Sequence, residues 1–410
     1  MTAGLGEAAG PGAASPIVSR ASSGPLRIGL AVLMGLAIVL SAQRLASEPG
    51  GTRLGLSLVL GGLFGFVLQR SRFCFFCLWR DVLDHRDPRG MLGILAALAT
   101  GLVGYAVVLG AWMPDPSGTR LPPDAHVGPV GPVLALAGLA FGAGMAISGS
   151  CISAHLYRLG EGSPTAPFAL LGTGLGFALG FATWNPLYLA SVSDAPVLWL
   201  PRHLGYAGSL AAGLLALTGL AWLAWRLAPA APAAREVPAS PLGAVFVARW
   251  PAWLGGLAVG AIATAAYLRV GPLGVTAEIG ARTRQAAAQL GLLPARLEGL
   301  DTFRGCATAV RDALLTPNGL FVGGLVLAAL AAALAADQFR PARPTGAQVL
   351  RGLTGGVLLG WGAMTGLGCS VGTLLSGIMA GAVSGWVFGL AMFVGATATL
   401  LAGRRLRLLP

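Results

Sequence analysis

Ten apolar stretches dominate this chain, at about 28–46, 54–69, 91–113, 130–149, 166–184, 206–227, 252–270, 318–336, 350–367 and 384–402. Each approaches the roughly 20 residues a helix needs to cross a bilayer core. No water is available there to bond backbone amides and carbonyls, so stretches of this kind must be helical. The expected fold class is an all-α polytopic membrane protein with about ten transmembrane helices. Only 10% of the 410 residues are charged and 55% are hydrophobic, whereas a water-soluble domain carries about 25% charge. A soluble enzyme and a disordered chain are both excluded.

The polar inventory narrows the function classes further. All 27 basic residues are Arg, and the formal charge is +12. Without a single Lys there is no P-loop of the GxxxxGK[ST] type, so the chain is not its own ATPase, and no Schiff-base chemistry is open to it. The Arg residues sit at the ends of apolar spans, which marks topology rather than nucleic-acid binding. The four His (His85, His126, His155, His203) are scattered, and no Cys/His group has zinc spacing. Neither a metal nor an organic cofactor is expected.

Residues 1–26 are rich in Ala, Gly, Ser and Pro and are expected to form a disordered tail. The first span is followed by Arg44 rather than a small-residue cleavage site, so it reads as a retained anchor. A first membrane half over 27–228 is followed by a Pro/Ala-rich linker at 229–250 and a second half over 251–410. Arg clusters occur at 70–89, in the linker (Arg226, Arg235, Arg249), at 337–351 and at 404–407. Counting ten crossings puts all four on one side, expected to be cytoplasmic together with both termini. Segment 271–317 strains that count. It falls on the opposite side yet carries Arg282, Arg284, Arg296, Arg304 and Arg311, so either it is tucked into the protein or a crossing is miscounted.

A repeat runs through both halves. The pattern is Gly-x-x-x-Gly, eight further residues, then Cys: Gly61, Gly65 and Cys74; Gly138, Gly142 and Cys151; Gly356, Gly360 and Cys369. A fourth copy, Gly256 and Gly260, carries Arg269 at the Cys position. The repeats occupy 54–113 and 130–184 in the first half, 252–336 and 350–402 in the second. By the crossing count the two halves are inverted copies, a mark of many transporter folds. After each Cys comes a helical segment too short to span: FFCLWRDVL, ISAHLYRLG and SVGTLLSGIMAG. Preceded by a break, with Gly149 and Gly368 as the break glycines of the second and third copies, these read as re-entrant half-helices. The breaks near 70–76, 149–152 and 368–371 are expected to meet at mid-depth. Helix N-termini there would aim free N–H groups at an anion. Thiols, as weak donors with polarisable sulfur, suit a soft anion that itself carries sulfur.

LQRSRFCF (68–75), FGAGMAISGSCISAHLYRLGEG (141–162) and GWGAMTGLGCSVGTLLSGI (360–378) resemble the YeeE/YedE family of sulfur-transport membrane proteins, over roughly 54–402. That resemblance implies an hourglass-shaped path with re-entrant helices, uptake of thiosulfate or a related sulfur anion through the bacterial inner membrane, and pore cysteines that relay it by S–H···S contacts. Those would be Cys74, Cys151 and Cys369. It also implies a cytosolic TusA-like sulfurtransferase as a partner, and leaves a selenium compound open as the substrate.

Other residues carry alternatives. Arg70 and Arg72 flank the first break and either anchor it or form an anion funnel. Arg269 is either a buried functional Arg or an interfacial one at a helix end. Arg80–Asp81 and Arg158–Glu161 read as local ion pairs. Cys77 and Cys306 lie off the repeat spacing and read as packing residues, so Ala at either is expected to leave the protein active. The competing function is a membrane thiol–disulfide redox enzyme using Cys74-x-x-Cys77, which replacement of Cys77 would silence. A purely structural subunit would leave the three repeated breaks unexplained.

Overall fold

A computed structural model of the chain describes residues 24–226 and 240–409, apart from 295, 309–312 and 314. Residues 1–23 of the tail expected over 1–26, the linker core at 227–239 with Arg235, and Arg311 lie outside the described residues, while Pro25 and Leu26 already belong to the first helix. The elements in order are α1 (Pro25–Ser47), α2 (Thr52–Ser71), α3 (Phe75–His85), α4 (Arg89–Trp112), α5 (Pro132–Ser148), α6 (Ile152–Gly160), α7 (Ala166–Leu187), α8 (Leu200–Arg226), α9 (Pro241–Phe246), α10 (Ala252–Arg269), α11 (Ala277–Gln289), α12 (Pro317–Ala335), α13 (Gly346–Thr365), α14 (Gly377–Met379) and α15 (Val383–Arg405). A π-helical turn, Ser370–Ser376, leads into α14. Among the described residues there are no strands, only two isolated bridges. Among the described residues, nine helices are long and apolar enough to cross a membrane, or ten if α13 and the segment Ser370–Met379, bent by 43°, form one span. The chain is a multi-pass membrane protein.

The repeated glycines explain which helices pair. The most extensive helix contacts are α2 with α12, α4 with α10, α5 with α15 and α7 with α13, and α5 also packs against α13. Each pair joins a helix of the first half to one of the second. A Cβ added at Gly61 or Gly65 would strike backbone of Phe321 or Leu325 on α12, and one at Gly142 would strike Met392 on α15. Gly256 and Gly260 press on Gly93 and Ala97 of α4; Gly356 and Gly360 press on Ala169 and Thr173 of α7. The Gly-x-x-x-Gly element, including the fourth copy, therefore brings backbones into contact, which is how helices associate where lipid removes the hydrophobic drive. α1 and α8 lie at the rim with apolar side chains such as Leu33, Leu40, Leu215 and Trp225 outward.

The Arg-rich segments do come together on one face. Arg404 makes two hydrogen bonds to Asp84, at 2.6 and 2.8 Å. Arg351 donates to the Leu408 carbonyl at 2.6 Å, Gln69 reaches Gln338 at 2.8 Å, and Arg27 pairs with Asp337. Arg80 approaches Asp84 at 4.0 Å, so its ion pair is one helical turn on, rather than with Asp81. Segment 271–317 is tucked onto the protein: α11 packs on α7, and Trp184 Nε1 donates to the Glu298 carbonyl at 2.8 Å. Its charges are partly matched within the segment, Arg282 with Glu278 at 2.7 Å and Arg296 with Glu298 at 3.7 Å.

Candidate functional site

The three repeated cysteines occupy one structural position. Cys74, Cys151 and Cys369 are the N-cap residues of α3, α6 and the π turn, each with extended backbone. Two residues before each, the chain turns left-handed: Arg72 at φ 50, Gly149 at φ 83 and Leu367 at φ 60. This single reversal ends one helix and starts the next, and it explains why the spacing from glycine to cysteine is constant. Gly149 fills the left-handed position as its type favours. In the third break that position falls on Leu367, with Gly368 following it. A non-glycine residue there costs roughly 1–2 kcal/mol. The Leu367 carbonyl is held by the Cys306 N–H at 3.0 Å.

All three thiols are fully buried and none faces lipid. Cys74 Sγ and Cys151 Sγ lie 3.9 Å apart. The Cys77 N–H donates to Cys74 Sγ at 3.5 Å, and Cys151 Sγ meets Ser153 Oγ at 3.3 Å. Cys369 is not part of this pair. Cys306 packs against the same break as Cys369, with its sulfur close to Gly372. All five cysteines are free thiols.

A cavity lies on the Arg-rich face and another opposite it. The first, about 320 Å³, is lined by Arg72, Tyr157, Arg158, Glu161, Gln338 and Arg340. Arg158 Nη2 reaches Cys77 Sγ at 3.2 Å, while Glu161 accepts from Gln69 at 3.0 Å. The partners of these two side chains are thus not each other. The second cavity, about 410 Å³, is lined by Arg53, Asp124, His126, Arg304, Cys306 and Asn318 among others. Burial lowers the His126 pKa, so its ring is neutral at pH 7. Guanidinium groups in both cavities favour an anionic solute. Among the described residues no group of three or more His, Cys, Asp or Glu could hold a metal ion.

The secondary candidates separate. Arg72 lines the first cavity. Arg70 is fully buried and faces neither cavity. Its guanidinium donates to Gln69 and Gln338 side chains at 2.7 and 2.9 Å, and to carbonyls of Phe246, Val247 and Ala332 at 2.9, 2.7 and 3.3 Å. It clamps the linker end onto α2 and α12 and has no donor left for an anion. Arg269 is exposed at the end of α10 and lines neither cavity, so it is an interfacial Arg. The fourth break comes later: α11 starts after Thr276, its N-cap. Sequence reasoning missed Arg53, Arg304 and Arg340 as cavity residues, and the place of Cys306. The one available signal was the Gly-Cys dipeptide Gly305–Cys306, matching Gly368–Cys369.

The family model described as "Sulphur transport" matches residues 70–398. The thiosulfate transporter TsuA of Spirochaeta thermophila is 28% identical over 347 residues, covering 82% of this chain and 95% of that protein. The thiosulfate transporter TsuA of Escherichia coli is 26% identical over 348 residues, covering 82% and 91%. The probable transporter YedE of Escherichia coli is 24% identical over 205 residues, covering 50% and 48%.

Proposed function

The chain belongs to the sulphur-transport family, and from that premise we propose that it imports thiosulfate or a related sulfur anion through the bacterial cytoplasmic membrane. It is a transporter rather than an enzyme. Two inverted halves, 27–228 and 251–410, frame an hourglass path, with the short helices after the breaks entering as re-entrant elements. Cys369, Cys151 and Cys74 hand the anion inward, and both termini are cytoplasmic. The Arg-rich face is then the cytoplasmic one. The anion's sulfonate oxygens are drawn by Arg side chains in the cavities, while its soft terminal sulfur accepts S–H donation from the thiols. No covalent bond to cysteine forms.

The observation that carries this reading is the buried pair Cys74–Cys151 at 3.9 Å, each residue at the N-cap position of a short helix. Two thiols at helix starts, with no metal-ligand group around them, suit brief contact with a sulfur anion. A thiol–disulfide enzyme built on Cys74 and Cys77 has less support, because the sulfur that Cys74 meets belongs to Cys151 and not to Cys77. A TusA-like sulfurtransferase taking up the anion on the cytosolic side would pull the flux. The test is uptake of labelled thiosulfate, sulfate and selenite by cells lacking other routes. Thiosulfate uptake that sulfate does not compete away supports the reading. Uptake confined to selenite would reassign the substrate, and no uptake of any would end it.

A further inference from the structure

The breaks before α3 and α6 bring into contact two sulfurs that lie 77 residues apart in the chain. Cys74 Sγ and Cys151 Sγ are 3.9 Å apart, both residues are fully buried, and both thiols are free. Passing an anion from one thiol to the next needs both sulfurs beside the path, but not in contact with one another. A disulfide bond is about 2.0 Å long, so the two sulfurs have roughly 1.9 Å to close. We propose that Cys74 and Cys151 form a redox-modification site: hydrogen peroxide joins them in a disulfide that shuts the path, and a dithiol reopens it. This inference rests on the transport reading above and adds regulation to the same site.

The surroundings suit that closure. Each cysteine holds extended backbone at a junction between two helices, where small torsion changes re-aim a side chain without unwinding either helix. Behind Cys151 the reversal at Gly149 leaves open space, since a Cβ added there would meet nothing within 4 Å. The other thiols are directed elsewhere. Cys77 Sγ faces the Arg158 guanidinium at 3.2 Å and the Gly149 carbonyl at 3.9 Å, and it is the backbone N–H of Cys77 that reaches Cys74 Sγ. Cys306 packs at the third break, against Gly372.

The chemistry balances with peroxide as the oxidant. Cys151 reacts first: its sulfur lies 3.3 Å from Ser153 Oγ and at the start of α6, and a hydroxyl donor and a helix N-terminus both stabilise a thiolate. The thiolate attacks one peroxide oxygen, the O–O bond breaks, and the departing hydroxide takes up the thiol proton as water. The Cys74 sulfur then attacks the sulfenic sulfur, the S–O bond breaks, and the second water carries off the Cys74 proton. Two thiols lose two electrons and peroxide gains them. Access follows from transport, because a path that passes a sulfur oxyanion also passes the smaller, neutral peroxide. The disulfide removes both S–H donors and ties the first break to the second. Exchange with a dithiol restores them.

The test uses the purified full-length protein in proteoliposomes. Wild type, Cys151→Ala and the control Cys77→Ala are treated with hydrogen peroxide, free thiols are alkylated, and disulfides are mapped by peptide mass spectrometry. Entry of labelled thiosulfate is measured before oxidation, after oxidation with the peroxide removed, and after dithiothreitol. The expected result is a crosslink between the Cys74 and Cys151 peptides in wild type and in Cys77→Ala, absent from Cys151→Ala, with a loss of wild-type entry that dithiothreitol reverses. Thiols that stay open to alkylation in treated wild type, a bridge from Cys74 to Cys77 in place of the expected one, or sulfinic acid at either residue overturns the inference. So does undiminished entry through fully crosslinked protein. Wild type that admits no thiosulfate before oxidation overturns the transport reading and with it the closure of a path, while the peptide map still decides the bridge.

Discussion

Replacing Cys151 by Ala probes the thiol relay most directly. Its sulfur sits 3.9 Å from Cys74 Sγ and 3.3 Å from Ser153 Oγ, with no solvent exposure. On the proposed relay, the change deletes one S–H donor to the passing anion. A hydrogen bond to a charged group contributes about 1.5–3 kcal/mol, and about 1.4 kcal/mol is a factor of ten. Uptake of labelled thiosulfate is therefore expected to fall by roughly ten- to 150-fold. The stability cost is smaller, because a void the size of one methyl group costs about 1 kcal/mol, so the protein should still reach the membrane in normal amount. Cys151→Ser separates two explanations of a loss. If the sulfur matters as a soft partner, Ser rescues poorly, and if only a small donor is needed, Ser rescues well. Wild-type uptake in Cys74→Ala, Cys151→Ala and Cys369→Ala alike, with immunoblots showing equal protein, would refute the relay even if the chain still carried thiosulfate.

The remaining predictions address packing, the buried clamp, the redox alternative and orientation. Gly360→Ala drives a Cβ into the Thr173 carbonyl and should cost about 1–3 kcal/mol as a lowered thermal midpoint in detergent, whereas Gly323→Ala, which meets nothing within 4 Å, should change it little. Arg70→Leu strands several buried acceptors and should destabilise by about 3 kcal/mol or more, while the half-saturation concentration of the folded fraction stays at the wild-type value. Cys77→Ala should keep wild-type uptake; complete loss would restore the thiol–disulfide enzyme. Reporter fusions after Pro410 and in the loop near Gly118 should report opposite sides, and agreement between them would break the inverted arrangement.

What could be read from the sequence was what periodic chemistry encodes. Spans were legible because lipid forces a continuous apolar helix, and the breaks were legible because one backbone reversal recurs at a fixed distance from the glycine pair. The roles of Arg70 and Arg269 were not. Arg70 lies two residues before the reversal at Arg72, where a charged side chain looks like a funnel, and only the fold shows carbonyls of 246, 247 and 332 converging on it. Arg269 matched the cysteine position by counting. The count fails because α10 ends there and seven more residues pass before α11 starts after Thr276. Cys306 was hidden for the same reason. The break it packs against, at Leu367, is remote in sequence, and the polar segment between α11 and α12 has no period that would place it.

Energetics constrains how such a path can run inward. A dianion entering against a negative-inside potential of about 100 mV is opposed by roughly 4.6 kcal/mol, at about 2.3 kcal/mol per charge. The sequence supplies no P-loop to offset that. Arg-lined cavities on both faces lower the cost of approach and departure, yet by symmetry they cannot set a direction. Direction must come from a coupled ion or from removal of the anion inside. On the proposed path the contacts between the cavities are with weakly donating thiols instead of fixed positive charges, which would keep each station shallow enough to leave. An Arg in place of a relay cysteine would deepen one station and slow release. Cys151→Arg should accordingly abolish uptake, and this loss should persist when a cytosolic sulfurtransferase is overproduced. If overproduction restored uptake in that variant, the rate would be governed by removal inside the cell and not by passage along the thiols.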